Sequence, residues 1–160
     1  MLLAAILAIG TANAQPSHFG AGAIIGDPTG VSLGWRPTEW NAVELGLGWD
    51  LLDGQFKTTA DYLQSVAVID PNAAVRIPIY VGLGAGVGSD LGTDLGGGFR
   101  PVETPGVDVG TQVAARAPVG ASVLLMNAPL EFFAHVIPAL RVLPDVQFEV
   151  DGALGVRYYF

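Results

Sequence analysis

The stretch FEVDGALGVRYYF, Phe148 to Phe160, decides how the rest of the chain is read. Its alternation runs to the last residue: Leu154, Val156, Tyr158 and Phe160 point one way, and Glu149, Asp151, Ala153, Gly155 and Arg157 the other. One face is apolar and closes on aromatics, while the other carries charge. A soluble edge strand rarely has this form. A strand with lipid on its outer side and a polar lumen on its inner side needs it, because backbone polar groups in a bilayer must be satisfied by neighbouring strands in a closed wall.

Working back from that strand, the same period of two recurs. His18 to Gly26 sets Phe19, Ala21, Ala23 and Ile25 against His18, Gly20, Gly22 and Ile24, and Asp27-Pro28-Thr29 between two glycines supplies a tight turn. Val31, Leu33 and Trp35 then face out, with Ser32, Gly34 and Arg36 in, before a turn at Pro37 to Trp40. Asn41 to Leu51 places Val43, Leu45, Leu47 and Trp49 opposite Glu44, Gly46, Gly48 and Asp50. After a hairpin loop at Asp53-Gly54, Phe56, Thr58, Ala60 and Tyr62 alternate with Lys57, Thr59 and Asp61, up to a turn at Asp70, Pro71 and Asn72. The next run sends Val75, Ile77, Ile79, Val81, Leu83, Ala85 and Val87 outward and Arg76, Pro78, Tyr80 and three glycines inward. Ser89 to Asp108 is one long loop of glycines, prolines and acids. A sixth strand, about Val109 to Leu124, puts Arg116 and Ser122 inward, and a seventh, Glu131 to Val142, does the same with Glu131, Phe133, His135 and Arg141.

The pattern predicts an all-β chain forming an eight-stranded antiparallel transmembrane up-and-down β-barrel, the smallest membrane barrel, with both termini at one end. Aromatics fall at two levels: Phe19, Trp35, Tyr62, Phe132, Tyr158 and Phe160 at the terminus end, and Trp49, Phe56 and Phe148 at the other. With the termini periplasmic, the loops at Asp27, Asp53, Asp90 to Asp108 and Asp145 are expected outside the cell. The inward phase collects a lumen charge network of Arg36, Glu44, Asp50, Lys57, Asp61, Arg76, Arg116, Glu131, Arg141, Glu149, Asp151 and Arg157. In so narrow a barrel these groups are expected to pair across the interior and close the pore. Pro78, Pro118 and Pro138 fall inside strands, where each removes a ladder donor, so bulges or breaks are expected there that could flip the phase beyond them, at Arg116 and Arg141 above all.

Apolar residues make up 51% of the 160, yet no run of eighteen exists to make a helical span, so any membrane crossing must use strands. The one continuous apolar run, Leu2 to Gly10, precedes Ala12-Asn13-Ala14 and reads as a signal peptide over residues 1–14, leaving a barrel domain at 15–160; no Lys or Arg precedes the run. A buried N-terminal helix fits less well, since the run is short and ends in cleavage-type residues. Cysteine is absent, which removes disulfide scaffolds and thiolate metal sites. The net charge of −8 and the scattered basic residues argue against nucleic acid, which needs clustered Lys and Arg.

Chemistry-bearing patterns are sparse, and neither a catalytic site nor a cofactor or metal is expected. Gly82 to Gly88 does not make a phosphate loop, because Val87 stands where the last glycine of G-x-G-x-x-G would be. Asp90 and Asp94 lack the dense spacing of a calcium loop. His135 with Glu131 or Glu149, and His18 with Ser17, are the places where acid–base or nucleophilic chemistry could assemble, and neither carries a motif. A lumen histidine within an ion-pair network is the plainer reading.

The whole mature chain resembles small outer-membrane barrels of the OmpA and OmpX type, and more closely short outer-membrane barrels of spirochaetes and other Gram-negative bacteria. The likeness rests on GAIIGDPTGVSLGW (Gly22 to Trp35), IPIYVGLGAGVG (Ile77 to Gly88) and the run from Pro129 to Phe160. It implies that proline-containing strands are tolerated, that Leu154, Val156, Tyr158 and Phe160 form a C-terminal signature for the barrel-assembly machinery, and that no catalytic residues are carried. The expected role is structural or surface-binding, adhesin-like, in the cell outer membrane and in contact with its lipid. A basic extracellular protein is the partner expected at the acidic 89–108 loop. A narrow solute channel is the alternative, and an outer-membrane lipid-modifying enzyme a more distant one.

Overall fold

The computed structural model describes residues 18–49, 56–89, 111–144 and 146–160. The expected signal peptide, Ser17, Asp50, the Asp53-Gly54 loop, residues 90–108 and Asp145 lie outside the described residues.

The described chain is strand joined by turns: β1 (Phe19–Gly26), β2 (Thr29–Trp35), β3 (Asn41–Trp49), β4 (Phe56–Asn72), β5 (Val75–Ser89), β6 (Thr111–Arg116), β7 (Val119–Leu125), β8 (Leu130–Leu143) and β9 (Gln147–Tyr159). Apart from β6 and β7, which do not pair with each other, each strand pairs antiparallel with its neighbours in sequence, and β1 pairs with β9, from Gly20 opposite Tyr159 to Gly26 opposite Ala153. The sheet therefore closes on itself. Both β6 and β7 bridge β5 and β8, so they are two halves of one stave, and the ring has the expected eight positions.

The break in that stave lies at Ala117-Pro118, and backbone bonds staple it from both sides: Gly82 N donates to the Pro118 carbonyl at 2.7 Å, and Ala117 N to the Pro138 carbonyl at 2.9 Å. Neither half loses phase, since Arg116 and Ser122 are both buried. Pro78 and Pro138 also leave their strands in phase. The irregularities sit in β4, where the register shifts between Ser65 and Ala67 and again between Ile69 and Asn72. The second shift lets the strand run through Pro71, so the expected turn at Asp70 to Asn72 moves to Ala73-Ala74.

Burial is inverted relative to a soluble protein. Ile25, Leu83, Phe148, Leu154 and Phe160 are 60% exposed or more, whereas Glu131 is 0%, Glu44 and Arg157 2% and Asp61 3% exposed. The outward strand positions between the two aromatic levels carry no charge among the described residues. Inside, two small apolar clusters, Ile24 with Phe133, Ile137 and Ala153, and Ala42 with Leu63 and Tyr80, lie among the polar groups.

Candidate lumen charge network

Glu131, the second residue of β8, is the hub at the terminus end. Its carboxylate pairs with Arg36 at the end of β2 and with Arg157 of β9 (3.3 Å), and it accepts a hydrogen bond from the Tyr159 hydroxyl at 2.7 Å. That hydroxyl in turn accepts from Arg36 Nε at 2.9 Å. Arg157 also pairs with Glu44 of β3, donates from Nε to Ser32 Oγ at 2.8 Å, and lies 3.9 Å over the Phe133 ring. Arg36 reaches Ser122 Oγ at 3.2 Å. Two guanidiniums thus meet two carboxylates across the full width of the barrel, and the Tyr159 and Ser32 hydroxyls take the Nε donors of both.

Small residues on the inward faces make this crossing geometrically feasible. A Cβ at Gly34 would stand 3.2 Å from both Arg157 Cδ and the Tyr159 hydroxyl, and one at Gly155 would fall on the Phe133 ring and 2.7 Å from the Ala23 carbonyl. These glycines are the slots into which the long side chains fold.

A second cluster occupies the loop end. Arg116 Nε stands 3.2 Å from Asp61 Oδ1, close enough for Coulomb attraction though misaligned for a hydrogen bond. Asp27 supplies the other anion, 2.7 Å from Lys57 Nζ and 3.7 Å from Arg116 Nη1, with its carbonyl accepting from Arg116 Nη2 at 3.4 Å. Asp27 was expected in an exposed loop, but it is 6% exposed and lies inside the barrel. Turn chemistry dictates dihedrals, not the direction in which the turn leans.

The remaining expected members lie apart. Arg141 pairs with Glu149 at 2.6 Å near the loop-end rim, and Asp151 is half-buried on that side. Arg76 is not in the lumen: it pairs at 3.1 Å with Glu39 in the exposed turn before β3 and with Asp70 at the exposed end of β4. It keeps its inward phase, but β4 and β5 extend past the ring at the terminus end and carry it out of the interior. Asp50 is outside the described residues. Tyr159 was missed altogether, although its place between the outward Tyr158 and Phe160 marks it as inward.

His135 does not form the acid–base pairs considered from the sequence, and the pair of His18 with Ser17 falls outside the described residues. His135 Nδ1 lies 3.3 Å from the Tyr80 hydroxyl, while Glu131 and Glu149 are held by arginines. His18 Nδ1 donates to the Arg36 carbonyl at 2.7 Å. Leu154, Val156, Tyr158 and Phe160 all stand on the outer face.

No protein-family model matches the chain, and no curated protein matches it. Among solved structures it is similar to the N-terminal β-barrel domain of Pseudomonas aeruginosa OprF, at 15% identity and a TM-score of 0.58, over 89% of this chain and 96% of that one. At that identity the likeness establishes architecture: the chain has the fold of a small OmpA-like β-barrel.

Proposed function

We propose that this protein is an integral outer-membrane barrel with a side-chain-filled lumen and a structural or surface-binding role, and that it is not an enzyme. The observation that carries the reading is the inverted burial. Leaving a large apolar side chain in water instead of burying it forgoes about 1.5–3 kcal/mol, and the outer wall carries such residues on every one of its eight staves. A bilayer removes that cost. The height agrees, since Phe148 to Phe160 at about 3.3 Å per residue and a usual barrel tilt spans about 30 Å, enough to cross an apolar band of about 25 Å between aromatic girdles.

Packing of the lumen favours a closed barrel over the narrow solute channel. Glu131, Ser32 and Ile137 are 0% exposed, so a water-sized sphere does not reach the middle of the bore. The partners proposed with it are membrane lipid for the outer wall, the barrel-assembly machinery for the C-terminal strand and, on charge alone, a basic protein for the acidic 89–108 segment.

Three measurements test the reading. Sucrose-gradient fractionation after expression in a Gram-negative host should place the chain in the outer membrane, with a heat-modifiable band on gels; recovery as a soluble protein would refute membrane insertion. Planar-bilayer recording should show no steady conductance, and a stable open current would replace the closed barrel with the channel. Exchanging residues 89–108 for a short Gly-Ser turn should abolish capture of basic surface partners. Unchanged capture by the inserted variant would leave a purely structural role.

A further inference from the structure

The β1–β2 turn enters the barrel although a hairpin turn has no need to. Its shape is set locally: Gly26 adopts a φ of 127°, which disfavours any side chain there, and its N–H and carbonyl both bond Thr29 Oγ1 at 3.0 Å. Asp27 N donates to the Gly152 carbonyl at 3.2 Å, tying the turn to β9. Pro28 is fully buried against β3, where a Cβ at Gly46 would stand 3.2 Å from its ring. The ionic contacts are those of the Asp27 carboxylate with Lys57 and Arg116.

We propose that this turn is a latch on the loop-end mouth: the Asp27 carboxylate, clamped by Lys57 and Arg116, keeps that end of the lumen dry. Releasing it opens a vestibule down to Thr59 and Gly86 that stops at the Glu131 network. The physics follows from the charges left behind. Without Asp27, Arg116 keeps Asp61, and Lys57 keeps only the longer-range attraction of Asp61 and Asp151; a buried cation short of a partner recruits water in preference to staying dry. Deeper in, Ser32, Glu131 and Arg157 are 2% exposed or less and bonded to one another across the bore, so hydration halts there. The latch depends on the closed ring alone, and a failure of the outer-membrane assignment would leave it intact.

The cysteine-free sequence allows a direct test in refolded, detergent-solubilised full-length chain. Gly86→Cys reports on the vestibule, since a Cβ there meets Arg116 Cδ at 3.5 Å and Lys57 Cε and Thr59 Cγ2 at 3.6 Å, ordinary contacts. Ser122→Cys reports on the deeper network. A charged methanethiosulfonate should label both slowly when the turn is native. Adding Asp27→Asn should raise the Gly86→Cys rate roughly tenfold or more and leave the Ser122→Cys rate unchanged. Lys57→Met, which removes the clamp from the other side, should act alike and serves if the Asp27 variant does not fold. Fast labelling of Gly86→Cys beside the native turn, equal rates in all backgrounds, or a parallel rise at Ser122→Cys would each overturn the latch.

Discussion

Replacing Glu131 with Ala should be among the most damaging single changes in the lumen. The substitution removes the carboxylate that serves Arg36, Arg157 and the Tyr159 hydroxyl. Arg157 keeps Glu44 and Ser32, but Arg36 retains only hydroxyl partners, with its side chain 14% exposed. Removing one partner from a buried pair costs about 3–5 kcal/mol, because the other charge stays desolvated. Partial exposure of Arg36 places the expected loss toward the lower part of that range, about 3 kcal/mol. With a urea slope of about 2 kcal/mol per molar, the midpoint should fall by about 1.5 M. Tryptophan fluorescence of the barrel refolded in lipid or detergent would follow it, Trp35 and Trp49 being on the wall. Adding Arg36→Met should recover a large part of the loss, since it removes the stranded charge. A midpoint within about 0.3 M of the parent, or a double variant no better than the single, would refute the hub.

Three other outcomes follow from the same geometry. Leu45→Arg, on the outer face, should cost about 2–4 kcal/mol in a bilayer, whereas Glu44→Gln should cost about 1–2 kcal/mol, because the amide still accepts from Arg157 and Glu131 still neutralises it; equal urea midpoints would contradict the assignment of faces. Phe160→Asp should lower outer-membrane yield in cells while in vitro refolding survives, and undiminished yield on fractionation would count against the C-terminal signature. Gly155→Ala should block refolding by colliding with the Phe133 ring, with only partial rescue from Phe133→Ala because the Ala23 carbonyl remains in the way; normal heat-modifiable mobility of the single variant would show that the slot is not needed.

The faces of the strands were legible because a barrel wall separates two solvents, and period two is the only pattern that serves both. Leu45 beside Glu44, or Val156 beside Arg157, admits a single orientation. Pairing partners were not legible. Alternation places Glu131, Arg157 and Arg36 on one side of the wall, but the stagger between staves decides their heights, and that is a property of the closed ring. Asp27 failed for a different reason: a Gly-Asp-Pro-Thr-Gly sequence specifies a turn equally well whether it leans into solvent or into the bore. Arg76 had the right phase and the wrong height, since Pro71 looked like a strand end and is passed by a shift in register.

The seam between β1 and β9 has a kinetic consequence. It joins Gly20 to Tyr159, so nearly the whole chain intervenes between the two rows that must meet. Neighbouring hairpins can form within microseconds, but this ladder is the most non-local contact of the fold, and such contacts dominate slow folding. Until it zips, an open sheet presents two unpaired rows of N–H and C=O groups, each able to template on another copy. Changes that slow the seam should therefore divert chains into aggregates, and bulk at Gly22, where a Cβ would meet the backbone of Val156 and Arg157, should do so by keeping the ladder from closing at all.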